Sequence, residues 1–193
     1  MATQPTSPIL GPGDHGRAVS AEEFAEAEFV EAWIYEREGG RLVVMAPEGK
    51  DHIRASNPWR DRLIAYKLGR PGIIEEVVTQ AWVRVAEGLD RIGDIGVYLV
   101  RQPPSFNVLD QVPDLMFEIV SPRREDRERD YVKKRADYHR LGVREYVIVD
   151  RFTRALTVLT HAPGGFDERV LSAADTYTSP LLPGLAIPLA EVF

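Results

Sequence analysis

The chain contains no cysteine, which excludes disulfides and any zinc or iron–sulfur site built on thiolates. It also lacks a run of about eighteen apolar residues, the length a helix needs to cross a bilayer. Its first sixteen residues are rich in proline and glycine and lack the charged start and apolar core of a signal peptide. Histidine is scarce: the four, at positions 15, 52, 139 and 161, show no ligand spacing. What these absences leave open is a hard cation held by carboxylate oxygens. They predict a cytoplasmic protein with no membrane partner.

What is present is enough for a globular core. Of 193 residues 44% are hydrophobic, and 24 Lys/Arg stand against 30 Asp/Glu for a net charge of −6. The expected division is a flexible leader over residues 1–19 followed by one folded domain over residues 20–193. Overall charge argues against general binding of nucleic acid, but the charge is unevenly placed. Glu22 to Glu38 holds seven acids against Arg37, whereas Arg123 to Arg144 holds nine Lys/Arg against five acids. Polyanion binding, if present, is local, and Arg123, Arg124 and Arg127 are the candidate phosphate contacts. The same asymmetry allows acidic and basic ends to pair between two protomers, so a homodimer is compatible with the sequence.

Along the chain, Ser20 and Glu23 form a capping-box pattern that starts a short helix to about Phe29. Trp33 to Arg37 and Arg41 to Ala46 flank Glu38-Gly39-Gly40 as a hairpin, with Glu36 on its first strand. His52 to Leu68 reads as a helix in which Pro58 is an interruption or a fresh start. Gly72 to Thr79 and Ala81 to Ala86 read as one long strand bulged near Gln80, and Arg91 to Val100 as the next strand.

The chemistry concentrates in Pro113 to Asp150. Leu115, Phe117 and Ile119 alternate with Asp114, Met116, Glu118 and Val120, so Glu118 sits mid-strand where an acid is costly unless neutralised. If this strand and the one carrying Asp94 form an antiparallel hairpin around a connector centred near Phe106, paired positions sum to about 212, and 94 plus 118 gives 212. Two like charges facing each other across a sheet repel, and a divalent cation between them reverses the sign. Asp114 pairs with Tyr98 by the same rule, too far along to share that ion. Glu125 to Leu141 then forms a charged helix that stops at Gly142, and Glu145 to Asp150 returns as a strand parallel to the first. On the helix, Lys134 has Asp130 and Tyr138 one turn away on either side, so this stripe lies near Glu118, where a lysine can meet a scissile phosphate.

The succession GGRLVVMAP, a histidine, RIGDIGVYLV, VPDLMFEIVSP, DYVKKRADYHRLGVREYVIVD and SPLLPGLAIPLAEVF resembles the restriction-endonuclease-like Uma-two family, a branch of the PD-(D/E)XK nuclease superfamily. The resemblance runs from about Ala21 to Phe193. It implies an α+β fold, a mixed sheet flanked by helices, in which Asp94 and Glu118 bind Mg²⁺ or Mn²⁺ and Lys134 assists. Glu36 matches the acid of the family's Tyr-Glu strand, and His52 its histidine after the first hairpin. The superfamily lysine normally lies two residues after the second acid, where this chain has Val120; the family supplies it from the following helix. Gly93 stands where a proline is usual before the first acid, and Gly39 where an aspartate is usual in the first turn. The function implied is Mg²⁺-dependent hydrolysis of DNA phosphodiester bonds. The alternative is a nuclease-fold module that binds nucleic acid or protein without cleaving.

Overall fold

The computed structural model describes residues 7–100, 111–123 and 127–193, so the connector centred on Phe106 and the candidate Arg124 lie outside the described residues. The chain forms two compact units, one of Met1–Glu48 with Trp82–Ile92 and one of Gly49–Ala81 with Gly93–Phe193.

In the first unit, β1 (Ile9–Leu10) pairs in parallel with β2 (Glu28–Phe29), and Leu10, within the stretch read as a leader, is fully buried. Helix α1 (Ala21–Glu26) starts at Ser20, whose hydroxyl accepts from the Glu23 N–H at 3.0 Å. It ends at Glu26 rather than at Phe29, because Ala27 turns extended and Phe29 leaves the helix to pack its ring against Phe24 at 5.1 Å and Tyr35 at 4.7 Å. The expected hairpin forms as β3 (Ile34–Glu38) and β4 (Arg41–Met45). Its turn places Gly39 and Gly40 at φ 59° and 72°, the left-handed conformation that favours glycine. Arg37 on β3 pairs with Asp90 and bonds its carboxylate at 2.5 Å, while Arg84 reaches the other oxygen at 3.2 Å.

In the second unit, α2 (Lys50–Gly69) runs unbroken through Pro58. Proline removes one helical hydrogen bond there, and burial of Trp59, Leu63 and Tyr66 along one face holds the helix together across it. Strand β5 (Ile74–Ala86) starts in this unit and carries Gln80 at φ 54°; from Trp82 it belongs to the first unit, turning through Glu87-Gly88 into β6 (Leu89–Leu99), which re-enters the second unit at Gly93. The sheet then continues β6, β7 (Leu115–Ile119), β8 (Glu145–Asp150), β9 (Ala155–Ala162), β10 (Gly165–Ser172). It is mixed: β7 and β8 are parallel, joined by a helical crossover, and the other neighbours are antiparallel. Ile95 faces Phe117, Gly96 faces Met116 and Val97 faces Leu115, so the paired positions do sum to 212. Strand β10 had no counterpart in the sequence reading, since Asp167, Glu168 and Arg169 give this edge strand an exposed, charged run with no apolar alternation.

Leu115, Phe117 and Ile119 point toward α2 and the tail, where Leu182, Leu185, Ile187 and Leu189 complete the core. Trp59, Phe117 and Tyr177 form a ring cluster with centroids 5.8 to 6.0 Å apart. Among the described residues no helix is long and apolar enough to cross a membrane.

The tail is tied to β8 by a buried acid. Glu145 accepts from the hydroxyls of Tyr177 and Ser179. Burial pushes its carboxyl above the ordinary value near 4.5, and the two hydroxyl bonds oppose that rise. A carboxyl weakened by folding favours the fold when protonated; that advantage is complete below about pH 4.5 and is lost as pH rises through the elevated value. Glu145→Gln, which keeps an acceptor and cannot ionise, should remove this component. The melting temperature of the wild type relative to the variant is expected to be highest at the acid end and to fall as pH rises from 4.5; a difference that stays flat over that range would refute the assignment.

Candidate active site

The described pairing of β6 and β7 stops at Ile95 and Phe117, and Asp94 and Glu118 are the next residues outward. There the Ile119 N–H donates to Asp94 Oδ2 at 2.6 Å. His52, in the first turn of α2, brings Nε2 to 3.2 Å from the same oxygen. Gly93 lets β6 pack closely on β7: a Cβ on it would lie 2.0 Å from Met116 Sδ and 2.9 Å from its Cγ, and Met116 is fully buried. The thioether occupies the room that a proline ring at position 93 would need.

Glu118 is buried, and its Oε1 accepts from Lys134 Nζ at 2.9 Å and from the Tyr138 hydroxyl at 2.8 Å. Lys134 also lies 4.0 Å from Asp130 Oδ1. The sequence reading of one α-helix from Glu125 to Leu141 needs correction, because Arg129–Lys134 is π-helical and only then does α3 (Arg135–Leu141) follow. The wider turn carries Asp130 and Lys134, both buried, and such turns recur where a helix must aim side chains into a site. Gly142 ends α3 as expected, with φ 80°.

Burial pushes the Glu118 carboxyl well above the usual carboxylate range; the Lys134 charge pulls it back, and the nearby acids Asp94 and Asp130 add to the rise. Both donors to Glu118 reach Oε1 and both contacts to Asp94 involve Oδ2, so among the described residues Glu118 Oε2 and Asp94 Oδ1 receive no hydrogen bond. Two free carboxylate oxygens on opposed strands are the donor type that Mg²⁺ and Mn²⁺ prefer, and the residues present fit such an ion.

The other candidates have partners of their own. Glu36 belongs to the first unit, where it accepts from Arg91 at 3.3 Å and from the Ile92 N–H at 2.9 Å. Asp114 accepts from the Leu99 N–H and from Arg144, which makes it a structural acid of the β6–β7 connection. Arg123 is exposed, while Arg127 is bonded to Asp150 at 2.6 Å and stacked 5.7 Å over the Tyr131 ring. Tyr138 carries more than the sequence reading assigned to it; its i, i+4 spacing from Lys134 was the available signal, and its contact with Glu118 was not readable from spacing alone.

Removing one partner of a buried ion pair typically costs about 3–5 kcal/mol, because the survivor keeps its desolvation cost without compensation. Lys134→Met leaves Glu118 without a cation, whereas Glu118→Gln leaves Lys134 near Asp130. In urea denaturation without divalent ions Lys134→Met should therefore lose more stability than Glu118→Gln, and the double variant should recover most of the loss. Equal losses in the two single variants would show that the pair is not the buried charge balance described.

A mixed sheet whose adjacent strands juxtapose two acids, covered by a helix that lends a lysine, defines a nuclease-like α+β protein. The family model described as "Putative restriction endonuclease", Uma2, matches residues 21–190, and the chain belongs to this family. Membership supports an enzyme of the hydrolase kind, a nuclease. Among solved structures the chain is similar to a "putative nuclease belonging to DUF820" from Anabaena variabilis, with 13% identity, 91% of this chain and 97% of that chain covered, and a TM-score of 0.71. At that identity the likeness is one of fold. No curated protein matches the chain.

Proposed function

We propose that the protein is a Mg²⁺- or Mn²⁺-dependent endonuclease of the PD-(D/E)XK type that hydrolyses DNA phosphodiester bonds. The observation that carries this reading is the juxtaposition of Asp94 and Glu118 one step beyond the β6–β7 pairing, each with one oxygen left free of donors, and with Lys134 on Glu118. Asp94 and Glu118 are the metal ligands. When bound, the ion polarises a phosphoryl oxygen and lowers the pKa of its water. His52 and the Ile119 amide orient Asp94 through Oδ2. Lys134 balances the Glu118 charge and is the group nearest to serve a phosphate. Glu36 supports the strand by gripping Arg91 and the Ile92 amide. Arg123 is free to track the DNA backbone, and Arg127 does so only by sharing its guanidinium with Asp150. DNA as the partner, the cytoplasm as the place and a homodimer as the assembly belong to the same proposal.

A second reading is an inactive binding module of the same fold. One observation favours it: Lys134 is buried against Glu118 rather than displayed to a substrate. Plasmid nicking separates the two. The endonuclease reading expects relaxed and linear DNA with Mg²⁺ or Mn²⁺, none with a chelator, and background product from Asp94→Asn and Glu118→Gln. Wild-type protein that binds plasmid yet leaves it supercoiled with both ions would establish the module instead.

A further inference from the structure

We infer that Tyr138 is a positioning residue that clamps Glu118 by Oε1 and thereby presents Oε2 to the cation. The inference rests on the metal-dependent reading above and concerns how this chain sets its ligand. A carboxylate mid-strand has a terminal torsion that is broad and two-fold, so nothing intrinsic sets the plane in which it offers a free oxygen to a metal. Here two donors converge on one oxygen, Lys134 Nζ at 2.9 Å and the Tyr138 hydroxyl at 2.8 Å, and rotation of the carboxylate would break both bonds.

The two donors contribute differently. Lys134 brings charge on a long, flexible stem and has Asp130 as another acid at 4.0 Å. Tyr138 brings direction: its ring is fully buried and set edge to face against Tyr146, with centroids 4.9 Å apart and planes at 74°. Its backbone is fixed as well, since the Val143 N–H bonds the Tyr138 carbonyl just past the helix stop. A buried tyrosine needs only some acceptor for its hydroxyl, and its neighbour Tyr146 meets that need with the Asp130 carbonyl oxygen at 2.9 Å. Tyr138 instead places its proton on the one carboxylate oxygen already held by the lysine.

Tyr138→Phe deletes this proton donor and leaves the ring packing in place, and Tyr146→Phe deletes a buried hydroxyl that touches no proposed ligand. Loss of a group that orients a metal ligand weakens metal binding by about 10- to 100-fold. Mn²⁺ titration by calorimetry should therefore show Tyr138→Phe binding at least about tenfold more weakly than wild type, while Tyr146→Phe keeps the wild-type affinity. The thermal shift of Tyr138→Phe should need more Mn²⁺ and still reach the wild-type plateau, and its nicking rate should recover at high ion concentration. Unchanged affinity in Tyr138→Phe, or equal weakening in both tyrosine variants, would overturn the positioning role while leaving the ligand pair standing. A wild type that takes up no Mn²⁺ would overturn the ligand pair itself, and the clamp with it.

Discussion

Register is the constraint on which the site depends. Because Ile95 faces Phe117, Asp94 comes to face Glu118, and the alternation of the strand sends Leu115, Phe117 and Ile119 to the α2 side while Glu118 turns to the other helix. A slip of one residue would put Glu118 among Trp59 and Leu63 and expose Phe117 to the lysine. The apolar core therefore does more than stabilise the unit. It fixes which two acids meet, since this register sets Leu115, Phe117 and Ile119 against α2 and leaves Glu118 on the opposite face.

That arrangement concentrates negative charge in a closed environment, and the crossover between β7 and β8 answers it. A parallel pair requires a long connection, here a helix, and this helix crosses the sheet on the face that Glu118 occupies. Its π-helical first part and α-helical second part deliver Lys134 and Tyr138 to the same oxygen. The topological need for a crossover and the electrostatic need for a cation are met by the same segment.

How much of this was legible in the sequence varied with the kind of interaction. The hairpin at Gly39-Gly40 and the stop at Gly142 were readable because local backbone chemistry dictates them. The β6–β7 register, with Ile95 opposite Phe117, was readable because strand parity and the length of one connector set it. The early end of α1 was not, since Phe29 leaves the helix for ring contacts with Phe24 and Tyr35 that no helical periodicity encodes. The π turn was hidden for a similar reason: Arg129–Lys134 is as good an α-helix as any by propensity, and tertiary demand decides otherwise. Arg127 looked free in a basic run, and only the fold brings Asp150 to it.

The dependence of α2 on the C-terminal segment bears on how the molecule is made. Tyr66 bonds the Pro183 carbonyl 117 positions further along the chain, and Trp59 packs edge to face against Tyr177. Contacts of such separation close a large loop and form slowly. During synthesis the helix that carries His52 emerges well before the tail residues that complete the core around it. On the outer edge, the charges of Asp167, Glu168 and Arg169 on β10 discourage strands of neighbouring nascent chains from adding there. A chain whose growth halts before Tyr177 would have both carboxylates in place in its sequence and lack the ring that Trp59 packs against in the helix carrying His52.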